Sequence, residues 1–127
     1  MQRELAVHGE VRKLAMVPRK LLEMCDDGMD AVRLCIHLSG FTYGFVGNDM
    51  GINPGNFSRV LQGNGNFPTN KRVRLMELCK NLAPVQFECE ALGLVPVPRV
   101  EYERLLALVA ELEAIKAAGS QREMEAA

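Results

Sequence analysis

The sequence predicts an all-α fold: a compact bundle of about five short helices containing a helix-turn-helix, preceded by a further helical segment and followed by a coiled-coil-like helix. Three observations predict it. Apolar residues recur at helical rather than alternating spacing along the chain. Asn, Asp, Thr and Pro stand where helices must start, and Gly stands where they must stop. A chain of 127 residues, 48% apolar and 24% charged, suits one domain with an appendage, since ordinary domains run to roughly 100–150 residues.

Residues 1–29 read as an N-terminal helical extension. The pattern over 3–25 is helical but interrupted, because Pro18 cannot continue a helix and is well placed to begin one, PRKLLEMC. Leu14, Leu21 and Leu22 give this extension apolar positions that need cover. DDGMD punctuates the chain, and a central domain over 30–93 follows. Asp30 is expected to cap a helix over 31–38, in which Val32, Cys35 and Ile36, with Leu38 at the margin, supply an apolar face before Gly40 ends it.

The next stretch, FTYGFVGNDMGINPGNFSRVLQGNGNFPTNK, fits two short helices joined by a tight turn. Thr42 caps the first, and Gly51 supplies the backbone freedom of the turn. Asn53 caps the second, Pro54 takes its first position, where a missing N–H costs nothing, and Gly63 stops it. Thr69 is expected to cap a helix running through Leu82 that carries Val73, Leu75, Met76, Leu78 and Cys79. Pro84 opens another, ending near Gly93.

Two prolines in VPVPR make residues 94–100 an extended linker. Beyond it, over 101–127, a helix reaching to about residue 118 sets Leu105, Leu108, Leu112 and Ile115 at steps of three and four, the seam of a two-heptad coiled coil. Such a seam is expected to pair with a second copy, giving a homodimer. The competing arrangement folds it back on Leu14, Leu21 and Leu22. The small, polar tail after Gly119 is expected to fray.

Function is carried by the two-helix stretch. Helices that cross steeply need a small residue at their close contact, which Gly47 supplies, and a turn residue four positions later, Gly51. Val46, Met50, Ile52, Phe57 and Val60 are spaced to seat the unit on a neighbouring helix. On these residues the chain resembles the lambda-repressor-like (Cro/repressor, XRE-type) helix-turn-helix family over about residues 30–93. The likeness extends to Leu61-Gln62-Gly63 at the close of the second helix and to Pro68 and the helix after it. It departs where the family commonly has Gln, Glu and Ala and this chain has Tyr43, Gly44 and Gly47. Pro54 and Gly55 also stand where family members often place base-reading side chains.

The resemblance implies a sequence-specific regulator binding double-stranded DNA, of phage or bacterial repressor type. Its recognition helix, about 53–62, would lie in the major groove, where the amino-terminal residues and outward face of a helix reach base edges. The base-reading candidates are Asn53, Gly55, Asn56 and Arg59; Arg59 suits guanine and Asn56 adenine, whereas Asn53 is chiefly a cap. Phosphate contacts are expected from Tyr43, Ser58, Gln62, Asn64, Lys71, Arg72 and Arg74. The net charge of −1 gives no general affinity for nucleic acid, but residues 40–75 hold four basic side chains against one acidic, a local excess of three. A protein-interaction adaptor or antitoxin-like module using the same fold is the alternative.

Other classes find little support. No apolar run reaches the roughly 20 residues a bilayer needs, and MQRELAVHGEVRK lacks the apolar core of a signal peptide, so the protein is expected to be cytoplasmic, with no membrane partner. Cys25, Cys35, Cys79 and Cys89 lack the close pairing of structural zinc sites and read as reduced thiols; His8 and His37 stand alone. No phosphate-cradling loop, paired carboxylates or nucleophile–histidine set is apparent. No enzymatic activity, metal or cofactor is expected.

Overall fold

A computed structural model describes residues 14–126; the expectations for residues 3–13, His8 among them, lie outside the described residues. The chain is all-α, in two units, Met1–Val95 and Pro96–Ala127. The first holds α1 (Arg19–Leu22), α2 (Gly28–Ser39), α3 (Tyr43–Asp49), α4 (Pro54–Leu61), a 3-10 turn (Thr69–Lys71), α5 (Arg72–Cys79) and α6 (Ala83–Ala91). The second holds α7 (Arg99–Ala126). No helix among the described residues is long and apolar enough to cross a membrane.

The core forms around α2, which packs on α5 and α6. Ala31, Val32, Cys35 and Ile36 recur every third or fourth residue and are buried together. Leu38 falls off that stripe and stays 44% exposed. From α5, Leu75, Met76 and Cys79 point inward while Val73 faces out. Val46, Met50 and Phe57 bring the two-helix stretch onto the same core. The thiols of Cys35 and Cys79 meet inside it; hydrogen bonding to Cys79, together with burial, pushes the Cys35 thiol up, and the same bond from Cys35 draws Cys79 down.

Helix α2 starts three residues earlier than expected, because Asp27 and not Asp30 is the cap. Asp27 is extended, and its carboxylate accepts the Asp30 N–H at 2.9 Å. Asp30 in turn accepts from the Asp26 N–H at 2.8 Å, a reciprocal arrangement like a capping box. Nor does Thr69 cap a helix: it opens the 3-10 turn without a side-chain cap bond. Helix α5 then stops at Cys79 instead of Leu82, since Lys80 turns left-handed (φ 59°) while its N–H reaches the Met76 carbonyl at 2.8 Å.

The early stop frees residues 80–82 for a different task. The Ala15 N–H donates to the Lys80 carbonyl and the Leu82 N–H donates to the Ala15 carbonyl, both at 3.1 Å. Residues 14–17, expected to be helical, are therefore extended and docked against the α5–α6 corner. Buried Asn81 fixes that corner, donating to the carbonyls of Cys35 and Cys79 and accepting from the Ala83 N–H. Buried Gln86 clamps Val17 from both sides, accepting its N–H at 2.7 Å and donating to its carbonyl at 3.0 Å. Gln86→Leu strands both backbone groups of Val17 in the interior, so a loss of about 1–3 kcal/mol is expected. A urea midpoint equal to that of the unaltered chain would show that the docked segment contributes nothing.

Helix α7 begins at Arg99 and runs to Ala126, so the tail after Gly119 is helical and not frayed. Its composition explains the difference: Gln, Arg, Glu, Met and Ala are all good helix formers. The Gln121 amide also reaches the Glu125 carboxylate one turn on at 3.2 Å.

Candidate nucleic-acid interface

Helices α3 and α4 with the turn between them form a helix-turn-helix. Thr42 caps α3 by accepting the Phe45 N–H at 3.0 Å. Gly51 at φ 69° reverses the chain, and the Ile52 N–H closes the turn on the Gly47 carbonyl at 2.9 Å. The Asn53 side chain accepts the N–H groups of Gly55 (2.9 Å) and Asn56 (3.3 Å), with Pro54 at the first position of α4. These are the caps that the residue types require.

The crossing is unusually close. A Cβ on Gly47 would stand 2.6 Å from Cδ2 of Phe57, so only glycine admits the ring there. Alanine, the residue the resemblance leads one to expect at this position, would collide with it. Phe57 is 3% exposed and also meets the Phe67 ring, with centroids 6.4 Å apart. That anchor fixes the rotation of α4. At roughly 100° per residue, Arg59 points nearly opposite Phe57, with Gly55 and Gln62 beside it and Asn56 and Ser58 on the flanks.

Gly55, Asn56, Arg59, Ser58 and Gln62 are all exposed, as are Tyr43, Asn53 and Asn64. The Arg59 guanidinium donates to the Asn56 carboxamide oxygen, so the two act as one polar unit. Asn53 uses its carboxamide oxygen on the helix backbone. Gly55 offers no side chain, only a close approach of backbone. Between the helices lies an open groove of about 510 Å³ whose lining includes Tyr43, Ser58 and Gln62 as well as Gly47, Ile52 and Leu61.

The basic cluster is largely paired within the chain. Lys71 Nζ donates to the Met50 carbonyl at 2.6 Å and Arg74 pairs with Asp49 at 2.7 Å. Both therefore hold the carboxyl end of α3, where positive charge is favourable. Arg72 pairs with Glu88 on α6. Asn64, beyond the end of α4, donates its backbone N–H to the Arg59 carbonyl at 2.8 Å.

One positioning residue escaped the sequence reading. Arg33 on α2 donates through Nε to the Leu61 carbonyl at 2.8 Å and pairs through Nη1 with Asp30 at 2.9 Å, tying the carboxyl end of α4 to the core. Its place three residues after Asp30, on one side of a helix, was the available signal. A second unanticipated feature is an exposed aromatic pair, Phe41 and Phe45, with ring centroids 4.7 Å apart.

Among the described residues no three His, Cys, Asp or Glu side chains gather as a metal site would require. Comparison of the chain with family models, with curated proteins and with solved structures gave no match.

Proposed function

We propose that this protein is a sequence-specific double-stranded DNA-binding regulator, resembling lambda-repressor-like helix-turn-helix proteins, that acts in the cytoplasm as an assembly joined through α7. The observation that carries the reading is the seating of α4. It is capped at its amino end by Asn53, held at its carboxyl end by Arg33, and locked in rotation by Phe57 against Gly47, so that Gly55, Asn56 and Arg59 face solvent on a helix of a size that enters a major groove. Tyr43, Ser58 and Gln62, on the groove beside it, are positioned for the flanking phosphates.

Selection from random duplexes tests the reading, with a two-fold symmetric site expected from an assembly of paired subunits. Arg59→Ala is expected to leave the melting temperature in place while reducing discrimination between selected and scrambled duplexes by about 1–3 kcal/mol. Equal preference in variant and parent would take Arg59 out of the site.

The internal pairing of Lys71, Arg72 and Arg74 favours a second reading, an adaptor or antitoxin-like module that binds protein, because it leaves few free cations for phosphate. A salt titration against random duplex separates the two. Phosphate contacts release counterions, so affinity falls steeply with salt in the first case, and an adaptor has no such binding to lose.

A further inference from the structure

Helix α7 carries more apolar surface than a two-stranded seam uses. Beside Leu105, Leu108, Leu112 and Ile115, which are 52%, 48%, 64% and 64% exposed, stand Tyr102, Leu106 and Val109 at 55%, 51% and 50%. Plotted at about 100° per residue these seven side chains cover roughly half the helix circumference, whereas a dimer needs only the narrow stripe of its a and d positions. With Leu105 and Leu112 at a, and Leu108 and Ile115 at d, Tyr102 and Val109 fall at e and Leu106 at b. A two-stranded coil would leave that second strip in water.

We propose that α7 assembles four copies of this chain into a parallel four-stranded coiled coil; the proposal rests on the reading of α7 as the self-association element. The occupant of the apolar face is a second copy on each side, because the pattern is self-complementary. Leu at a with Ile at d, as in the Leu112–Ile115 heptad, is a combination that favours more than two strands. The seam is also short: Glu101 at a d position and Gly119 at an a position bracket it to two heptads, a length at which a bare a/d dimer is marginal. Closing four strands covers the e positions as well, bringing Tyr102 and Val109 into the interface with Leu106 at its rim.

Charge sets the direction. Glu111 lies at g and Lys116 at the next e, so in a parallel assembly each Glu111 meets the Lys116 of its neighbour. An antiparallel register that stacks Leu105 on Ile115 and Leu108 on Leu112 instead sets Glu111 against Glu111 of the adjacent copy. Like charges so placed oppose that register. Four chains present two pairs of reading helices, enough to engage two duplex sites at once with the gain that tethering brings.

Sedimentation equilibrium of the full chain is expected to give the mass of four copies. Leu106→Glu with Val109→Glu is expected to return two copies with helix content by circular dichroism unchanged, and Leu105→Glu with Leu112→Glu a single copy. Lys116→Glu is expected to weaken the assembly at least tenfold, and adding Glu111→Lys to restore it. A parent mass of two or three copies overturns the proposal and leaves α7 as the self-association element, while a single-copy parent overturns both. A four-copy Leu106/Val109 variant, or a Lys116→Glu variant as tight as the parent, overturns the assigned strip or the parallel direction.

Discussion

Phe57→Ala is expected to lower the stability of the first unit by about 3–5 kcal/mol, the largest effect of any single substitution in the reading unit. The ring is 3% exposed, lies against the bare α-carbon of Gly47 and meets Phe67, so removing it takes away transfer free energy and leaves a cavity. Collapse cannot fill that cavity well. The ring's neighbour Gly47 has no side chain to offer, and both residues line the open groove between α3 and α4. The same substitution releases the rotation of α4, so duplex discrimination should fall with stability, unlike in Arg59→Ala. Gly47→Ala is the companion measurement. Helix propensity favours alanine by up to about 1 kcal/mol, but a Cβ 2.6 Å from the ring forces a shift that typically costs about 1–3 kcal/mol, so net destabilisation is expected. In a Phe57→Leu background the Gly47→Ala penalty should shrink, since the clash is with the ring itself. A Phe57→Ala protein that melts at nearly the parent temperature would show that the ring does not anchor α4.

What the sequence makes legible here is chemistry local to a few residues. Thr42, Gly51, Asn53 and Pro54 each act within four positions of themselves, and the residue types dictate the capping and turn geometry that the structure shows. The errors fall where distant partners decide. Lys80 is no glycine, yet it turns left-handed because residues 80–82 pair with Ala15, a contact across 65 positions that no window of sequence contains. The extended course of residues 14–17 depends in the same way on Gln86. Asp30 is expected as the cap from its place before the apolar face, whereas in the structure Asp27 caps the helix and Asp30 accepts the Asp26 N–H.

The candidate site shows the same division. The outward face of α4 follows from helical periodicity once Phe57 is taken as buried, so Asn56 and Arg59 could be named from sequence alone. The fate of the Lys71–Arg74 cluster could not. A count of charge over residues 40–75 treats each cation as free, whereas the fold turns Lys71 and Arg74 onto the end of α3 and Arg72 onto Glu88. Sequence reasoning names Gly47 as the small residue at the helix crossing but does not say what it makes room for. In three dimensions it is the condition for placing a phenylalanine at the crossing.

Removal of α7 by ending the chain at Pro96 is expected to abolish self-association and to weaken binding to a two-fold symmetric duplex by about 10²–10⁴-fold. The first unit has what it needs to fold without α7, because Val17 and Leu22 are already 5% and 4% exposed and Leu21 packs against the same core. Leu22 thus lies in the core of the first unit, with Leu21 packed against it. Helix α7 itself buries no residue, and a 28-residue helix with a continuous apolar face gains most by covering it against other chains. The affinity loss follows from arithmetic and not from any lost contact with DNA: a lone subunit engages one half-site and forgoes the effective concentration of its tethered neighbour. The truncated protein should therefore melt close to the parent's bundle transition, sediment as a single chain and keep its preference among half-site sequences. A truncated chain that still sediments as a dimer would place the interface in the first unit, and the exposed Phe41–Phe45 pair would be the first surface to substitute.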